Sequence, residues 1–217
     1  MTGKTHATPQ LAEWQGDFGR SYTDRNFITP EEVDALWIKN YGVSRTALNL
    51  EFLREIPKNA KILEVGCNLA NQLVLLQGIG YQHLYGIEAQ SYALAATRTR
   101  VLDLNLIQGT AFDIPYKDNF FDVVFTAGVL IHIAPEDLDR ALAEIHRCAR
   151  TYIWGSEYYA PVPQEVAYRG HDSLLWKSDF AAEYLRRFPD LELVKEQKLP
   201  YLAGGNVDSM FLLRKVR

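Results

Sequence analysis

The sequence predicts an α/β fold: a seven-stranded, mostly parallel sheet with helices on both faces, an antiparallel final strand and a helical amino-terminal extension. Three observations carry this. Short apolar runs alternate with segments of helical period through residues 60–156, the pattern of right-handed crossovers in a parallel sheet. Glycine or an acidic residue ends successive runs, as at Gly66, Glu88 and Gly128. The tail switches to two extended runs around Gly204-Gly205.

Residues 1–28 mix polar and aromatic side chains and predict no regular element. Thr29-Pro30-Glu31-Glu32 then reads as a helix start: Thr29 caps, Pro30 suits the first helical position, and Glu32 completes a capping box. Ser44 opens a second helix with Leu48, Phe52, Leu53 and Ile56 on one stripe and Pro57 as its stop. Strands are predicted at Lys61–Gly66, His83–Glu88, Leu104–Gly109, Phe121–Thr126 and Thr151–Ser156, with helices at 70–78 and 91–100. From Pro135, Leu138, Ala141, Leu142, Ile145, Cys148 and Ala149 line one helical face. Glu136 and Asp137 at its start and Arg147 and Arg150 at its end match the helix dipole. A last helix is expected from Ser178 to Pro189, then strands at 191–199 and 208–215.

Composition bounds the function. At 217 residues, one domain is expected, with 1–57 as an extension, 58–156 as a ligand-binding core and 157–217 as a loop, helix and hairpin. Apolar residues make up 47% and charged residues 23%, so the chain has the means to bury a core. Net charge is −4, which disfavours a domain built to grip phosphate backbones. Cys67 and Cys148 are too far apart in sequence for a paired zinc or redox motif, and no metal is expected. Met1–Trp14 has no apolar signal core, and no apolar run reaches membrane-span length. A cytoplasmic protein is the expectation, with its oligomeric state open.

The turn after the first strand, Glu64-Val-Gly-Cys-Asn-Leu-Ala-Asn71, lacks both the spaced glycines of a dinucleotide fingerprint and the Gly-Lys-Ser/Thr of a phosphate loop. An acidic residue before Gly66, amides at Asn68 and Asn71, and no lysine suit a ligand with an amino-acid end. Glu88, followed by Ala89, is placed to accept from a ribose diol. Phe112 and Asp113 follow the third strand, where an adenine would lie. Gly128 allows close approach after the fourth strand.

Ile62-Leu-Glu-Val-Gly66, Tyr85-Gly-Ile-Glu88, Phe112-Asp113 and Phe121-Asp-Val-Val-Phe125 resemble the Rossmann-like, class I S-adenosylmethionine-dependent methyltransferases. Asn68 and Ala70 stand where many members carry glycine. Further stretches, Trp14 to Asn26, Gly128-Val-Leu-Ile-His132 and Glu157 to Phe180, are similar to the methylases associated with pseudaminic acid biosynthesis. The resemblance implies S-adenosylmethionine as cofactor, S-adenosylhomocysteine as product and methyl transfer to a small molecule. An oxygen of an acidic sugar or other carboxylated metabolite is the expected acceptor. A nitrogen or macromolecular acceptor, or a non-catalytic cofactor-binding subunit, are the alternatives.

His132 and His171 are the candidate bases for a hydroxyl acceptor, with structural roles in their loops as the competing reading. Arg169 offers a planar fork for a carboxylate. Lys177 adds positive charge, and Tyr158 and Tyr159 are placed to wall the acceptor. Phe18, Tyr22, Arg25 and Asn26 form a candidate lid, with Arg25 a partner for the methionine carboxylate. Cys67 is expected to pack and to take no part in catalysis.

Overall fold

The computed structural model describes residues 8–101 and 103–216; the polar start expected from Met1 lies outside them through position 7. Helix α1 (Pro9–Gln15) is capped by the Thr8 side chain, which accepts from the Leu11 amide. Helix α2 (Asp17–Arg25) follows across Gly16. These two helices occupy the stretch without a sequence signal. Each is far shorter than a helix that is stable alone in water. They are held instead by the rings of Trp14, Phe18 and Tyr22, packed on one another and on His132, Tyr168 and His171, which leave no regular apolar stripe to read.

Helix α3 (Pro30–Tyr41) has the expected capping box, the Thr29 amide donating to Glu32 Oε2 at 2.7 Å. Helix α4 (Arg45–Phe52) is capped by Ser44. It ends at Phe52, well ahead of Pro57. Leu53 and Ile56 are buried from the following turn, where their carbonyls accept from the buried Tyr81 hydroxyl.

The alternating core then runs β1 (Lys61–Val65), α5 (Asn71–Gly78), β2 (His83–Glu88), α6 (Ser91–Arg98), β3 (Asn105–Gln108) and β4 (Phe121–Ala127). A short 3₁₀ turn (Leu130–His132) leads to α7 (Pro135–Cys148) and β5 (Ala149–Tyr158). A small hairpin of β6 (Gln164–Glu165) and β7 (Trp176–Lys177) stands apart from the main sheet and has no signal in the sequence. Helix α8 (Phe180–Arg187), capped by Asp179 rather than started at Ser178, precedes β8 (Leu191–Pro200) and β9 (Val207–Lys215). Strand β5 extends beyond Ser156 because β9 pairs along it, Glu157 opposite Ser209 and Tyr158 opposite Asp208.

The seven-stranded sheet has the order β3-β2-β1-β4-β5-β9-β8, with β9 antiparallel to both its neighbours. One face buries Ile62, Phe125, Trp154 and Leu212 against α4 and α5. The other buries Val65, Val124, Ile153 and Phe211 against α7 and α8. In α7, Leu138, Leu142 and Ile145 are buried. Each such aliphatic side chain contributes about 1.5–3 kcal/mol, so this face holds the helix to the sheet. Strand order reverses between β1 and β4, which opens a crevice at their carboxyl ends.

Candidate active site

The loop leaving β1 is shaped by three positive φ angles: +74° at Gly66, +44° at Asn68 and +56° at Ala70. A side chain at Gly66 would meet Val129 Cγ2 at 2.7 Å, so glycine is needed there for close approach as well as for conformation. Asn68 and Ala70, which replace the glycines of the resembled motif, nevertheless adopt glycine-like geometry. Asparagine tolerates it; alanine is strained by it.

The loop is tied to β2. The Asn68 amide donates to Glu88 Oε2 at 2.8 Å and the Gln90 amide to Oε1 at 2.9 Å. Burial raises the Glu88 carboxyl, opposed by the amides of Gln90, Asn68 and Ala89. A carboxylate has about four acceptor sites, so these amides leave room for a further donor from a diol.

A cavity of about 320 Å³ occupies the crevice. Gly66, Asn68, Asn71, Glu88, Ala89, Phe112 and Gly128 of the expected cofactor residues are on its wall, with Glu64 and Tyr22. Asp113 is exposed beside Phe112 and is not part of the wall. Arg25 is also exposed and off the wall, while its neighbour Asn26 is on it.

Helices α1 and α2 close one side of the cavity through Leu11, Trp14 and Tyr22. Their anchor is Gln90, whose side-chain amide donates to the carbonyls of Trp14 (2.9 Å) and Gly16 (3.2 Å) and accepts from the Thr23 hydroxyl (3.1 Å). Asn68 Nδ2 reaches Thr23 Oγ1 at 2.9 Å, and Asn71 Nδ2 reaches the Asn26 carbonyl at 3.1 Å. The two helices therefore grip the same loop that carries the cofactor-binding expectation. Burial pushes the Tyr22 phenol up to about 12, so it is a neutral donor at neutral pH.

The opposite end of the cavity, at Glu64 and Trp37, has a partner missing from the sequence reading. Arg45, at the start of α4, is 1% exposed. Its guanidinium lies 4.6 Å from the Trp37 ring, and Nη1 donates to Ser156 Oγ at 2.7 Å. Nε and Nη2 have no partner, and neither has Glu64 Oε2. Burial drives the Glu64 carboxyl well up and the Arg45 group down to about 10, while each charge favours the other. Nearby, Asp208 Oδ2 accepts from the Tyr41 hydroxyl at 2.8 Å, and burial holds its carboxyl up at about 6. Free acceptors at Glu64 and Asn68 Oδ1 suit an ammonium, while Arg45, which is not on the wall, supports the Glu64 charge. The charged and polar residues present thus fit the amino-acid end of S-adenosylmethionine. A lone arginine in a first helical turn gave no sequence signal for this.

His132 is on the cavity wall, against the rings of Trp14 (4.5 Å) and Tyr168 (5.3 Å). Its Nδ1 lies 2.7 Å from the Leu174 carbonyl, which can only accept, so Nδ1 carries the proton and Nε2 the lone pair. Burial lowers its pKa to about 4. His171, Arg169, Tyr158, Tyr159 and Lys177 are not on the wall. His171 and Arg169 are exposed on the hairpin tip, where the His171 ring packs 5.0 Å from Phe18. Lys177 donates to Asn206 and lies 5.7 Å from the Tyr158 ring; Lys198 covers the Tyr159 ring at 3.4 Å.

Comparison with known proteins bears on the fold that carries this cavity. Residues 63–151 match the family model described as a methyltransferase domain. An uncharacterized methyltransferase of Synechocystis sp. is 28% identical over 92 residues, 42% of this chain and 43% of that protein. The chain spans about half the length of the curated relatives it matches. Among solved structures, the Burkholderia thailandensis 1,6-didemethyltoxoflavin-N1-methyltransferase, with S-adenosylhomocysteine bound, superposes with TM-score 0.72 at 16% identity. That match covers 97% of this chain and 92% of that one. The 4+2 cyclase SpnF has the same fold at TM-score 0.61 and 16% identity, over 78% of this chain and 79% of its own. Among the described residues, no helix is long and apolar enough to cross a membrane. Residues 63–151 are thus similar to a methyltransferase domain, and the chain has the Rossmann-like fold of the S-adenosylmethionine-dependent enzymes.

Proposed function

We propose that the protein transfers a methyl group from S-adenosylmethionine to a hydroxyl oxygen of a small acidic acceptor of the sugar-acid type. The observation that carries the oxygen reading is His132, a neutral imidazole on the cavity wall with its tautomer set by the Leu174 carbonyl. When bound, the cofactor supplies a methyl group on a positively charged sulfur, so alignment and exclusion of water matter most. Glu88 takes the ribose diol, and Glu64, its charge supported by Arg45, takes the ammonium of the tail. Trp14 and Tyr22 form the lid that keeps water out. His132 Nε2 takes the acceptor's hydroxyl proton as the new carbon–oxygen bond forms.

The acidic character of the acceptor draws on the sugar-associated resemblance. A nitrogen acceptor is the second reading, favoured by the solved neighbour that methylates a ring nitrogen. The test incubates the purified chain with methyl-labelled S-adenosylmethionine and two panels, sugar acids and nitrogen heterocycles. Label in a sugar acid, falling about 10²–10⁴-fold in His132→Ala with S-adenosylhomocysteine affinity retained, is the expected result. Label in heterocycles alone contradicts the oxygen reading. Full turnover by His132→Ala contradicts the base assignment.

A further inference from the structure

Glu157, near the end of β5, is 1% exposed and makes no ion pair among the described residues. A buried carboxylate without a cation is costly unless hydrogen bonds satisfy it. Those bonds come from one place. The Val129 amide donates to Oε1 at 3.2 Å and the Ile131 amide to Oε2 at 3.4 Å. The Leu130 amide and the Thr126 hydroxyl add to them. A 3₁₀ turn leaves the amides at its start without partners inside the turn, and the carboxylate fills that need from below.

The turn so held carries the acceptor end of the cavity. Val129 and His132 are both on the wall, and Val129 is the residue that packs against Gly66. The surrounding elements contribute little else to Glu157. From α8 comes the buried Tyr184 hydroxyl, itself without a partner; from α4, across the sheet, comes the charge of Arg45.

We propose that Glu157 is a positioning residue: its carboxylate clamps the Leu130–His132 turn and so sets where Val129 and His132 stand against the acceptor. The inference rests on the methyl-transfer reading for its purpose, but not for its test. Glu157→Gln keeps the size and one acceptor oxygen while replacing the other by a donor facing amides.

The experiment follows the imidazole resonances by NMR titration, with amide exchange across 126–134 measured in the same samples. In the variant, His132 is expected to titrate at least about one pH unit above its intact value near 4. Protection at Val129 and Ile131 is expected to fall about tenfold, with S-adenosylhomocysteine still bound. Unchanged His132 titration and unchanged protection overturn the proposal. Should the variant fail to fold, the intact protein decides. Protection at Val129 and Ile131, and not at Val65, should fall about tenfold as pH drops from 8 to 4, across the range in which Glu157, raised by burial, takes its proton. A flat profile overturns the proposal. Absence of S-adenosylhomocysteine binding in the intact protein would contradict the methyl-transfer reading instead, and leaves the clamp measurements readable.

Discussion

Ala70 is buried with φ +56°, a conformation that costs an L-residue roughly 1–2 kcal/mol. Ala70→Gly relieves that strain but loses a packed methyl and gains unfolded-state freedom, so its melting temperature should stay within a few degrees of the intact protein. Arg45 permits a sharper test. Arg45→Gln should weaken S-adenosylhomocysteine about 10–100-fold by calorimetry, because Glu64 on the cavity wall loses the charge that favours its ionised form. Methylthioadenosine, which lacks the amino-acid end, should bind the variant and the intact protein alike. Equal losses for both ligands would place Arg45 in the scaffold instead. Glu88→Gln should weaken both ligands, by about 1.5–3 kcal/mol, since both carry the ribose. Glu64, Gly66 and Glu88 are legible in sequence because a strand end locates them by local pattern alone. Arg45 and Glu157 are not, because each acts on a residue brought near only by the folded sheet.

Helices α1 and α2 share one buried anchor in the core. Gln90 joins the carbonyls of Trp14 and Gly16 to the Thr23 hydroxyl, and Gly19 packs so tightly beneath that an added Cβ would lie 1.8 Å from the Trp14 carbonyl oxygen. Gln90→Ala should therefore release the lid: amide protection across 9–25 should collapse while that of β1 and β4 is kept. S-adenosylhomocysteine should dissociate faster from the variant. Loss of protection throughout the sheet would show that Gln90 supports the core. The sequence reading assigned aromatic lid residues in this stretch but no helices. Their periodicity is broken by Gly16 and by side chains that face a cavity and not a continuous core. The β6–β7 hairpin escaped for a similar reason, being two residues per strand.

For the whole molecule, the alternation of β1 to β5 with helices was plain, since near-continuous apolar strands between amphipathic helices have few other folds. Stability against pH adds a check on the buried charges. Glu157 and Asp208 are raised by burial to about 7 and about 6, so each binds its proton more tightly folded than unfolded. Each therefore costs stability as pH rises through those values. His132, pushed down by burial to about 4, costs stability as pH falls from its ordinary 6.5. Glu157→Gln removes the first cost, and its lost amide contacts are a change that does not depend on the titration. The difference in stability between the variant and the intact protein should move in the variant's favour between pH 5 and 8, toward a limit of about 3 kcal/mol. A difference that does not change with pH would show that Glu157 titrates as an ordinary carboxyl.

The cavity, its acidic and arginine end and the Glu88 loop together make one claim, that this crevice holds S-adenosylmethionine. Calorimetric titration of the intact chain with S-adenosylhomocysteine tests it most directly. One site per chain, with methylthioadenosine binding more weakly at the same site, is the predicted result. No heat of binding and no displacement by S-adenosylmethionine would contradict it.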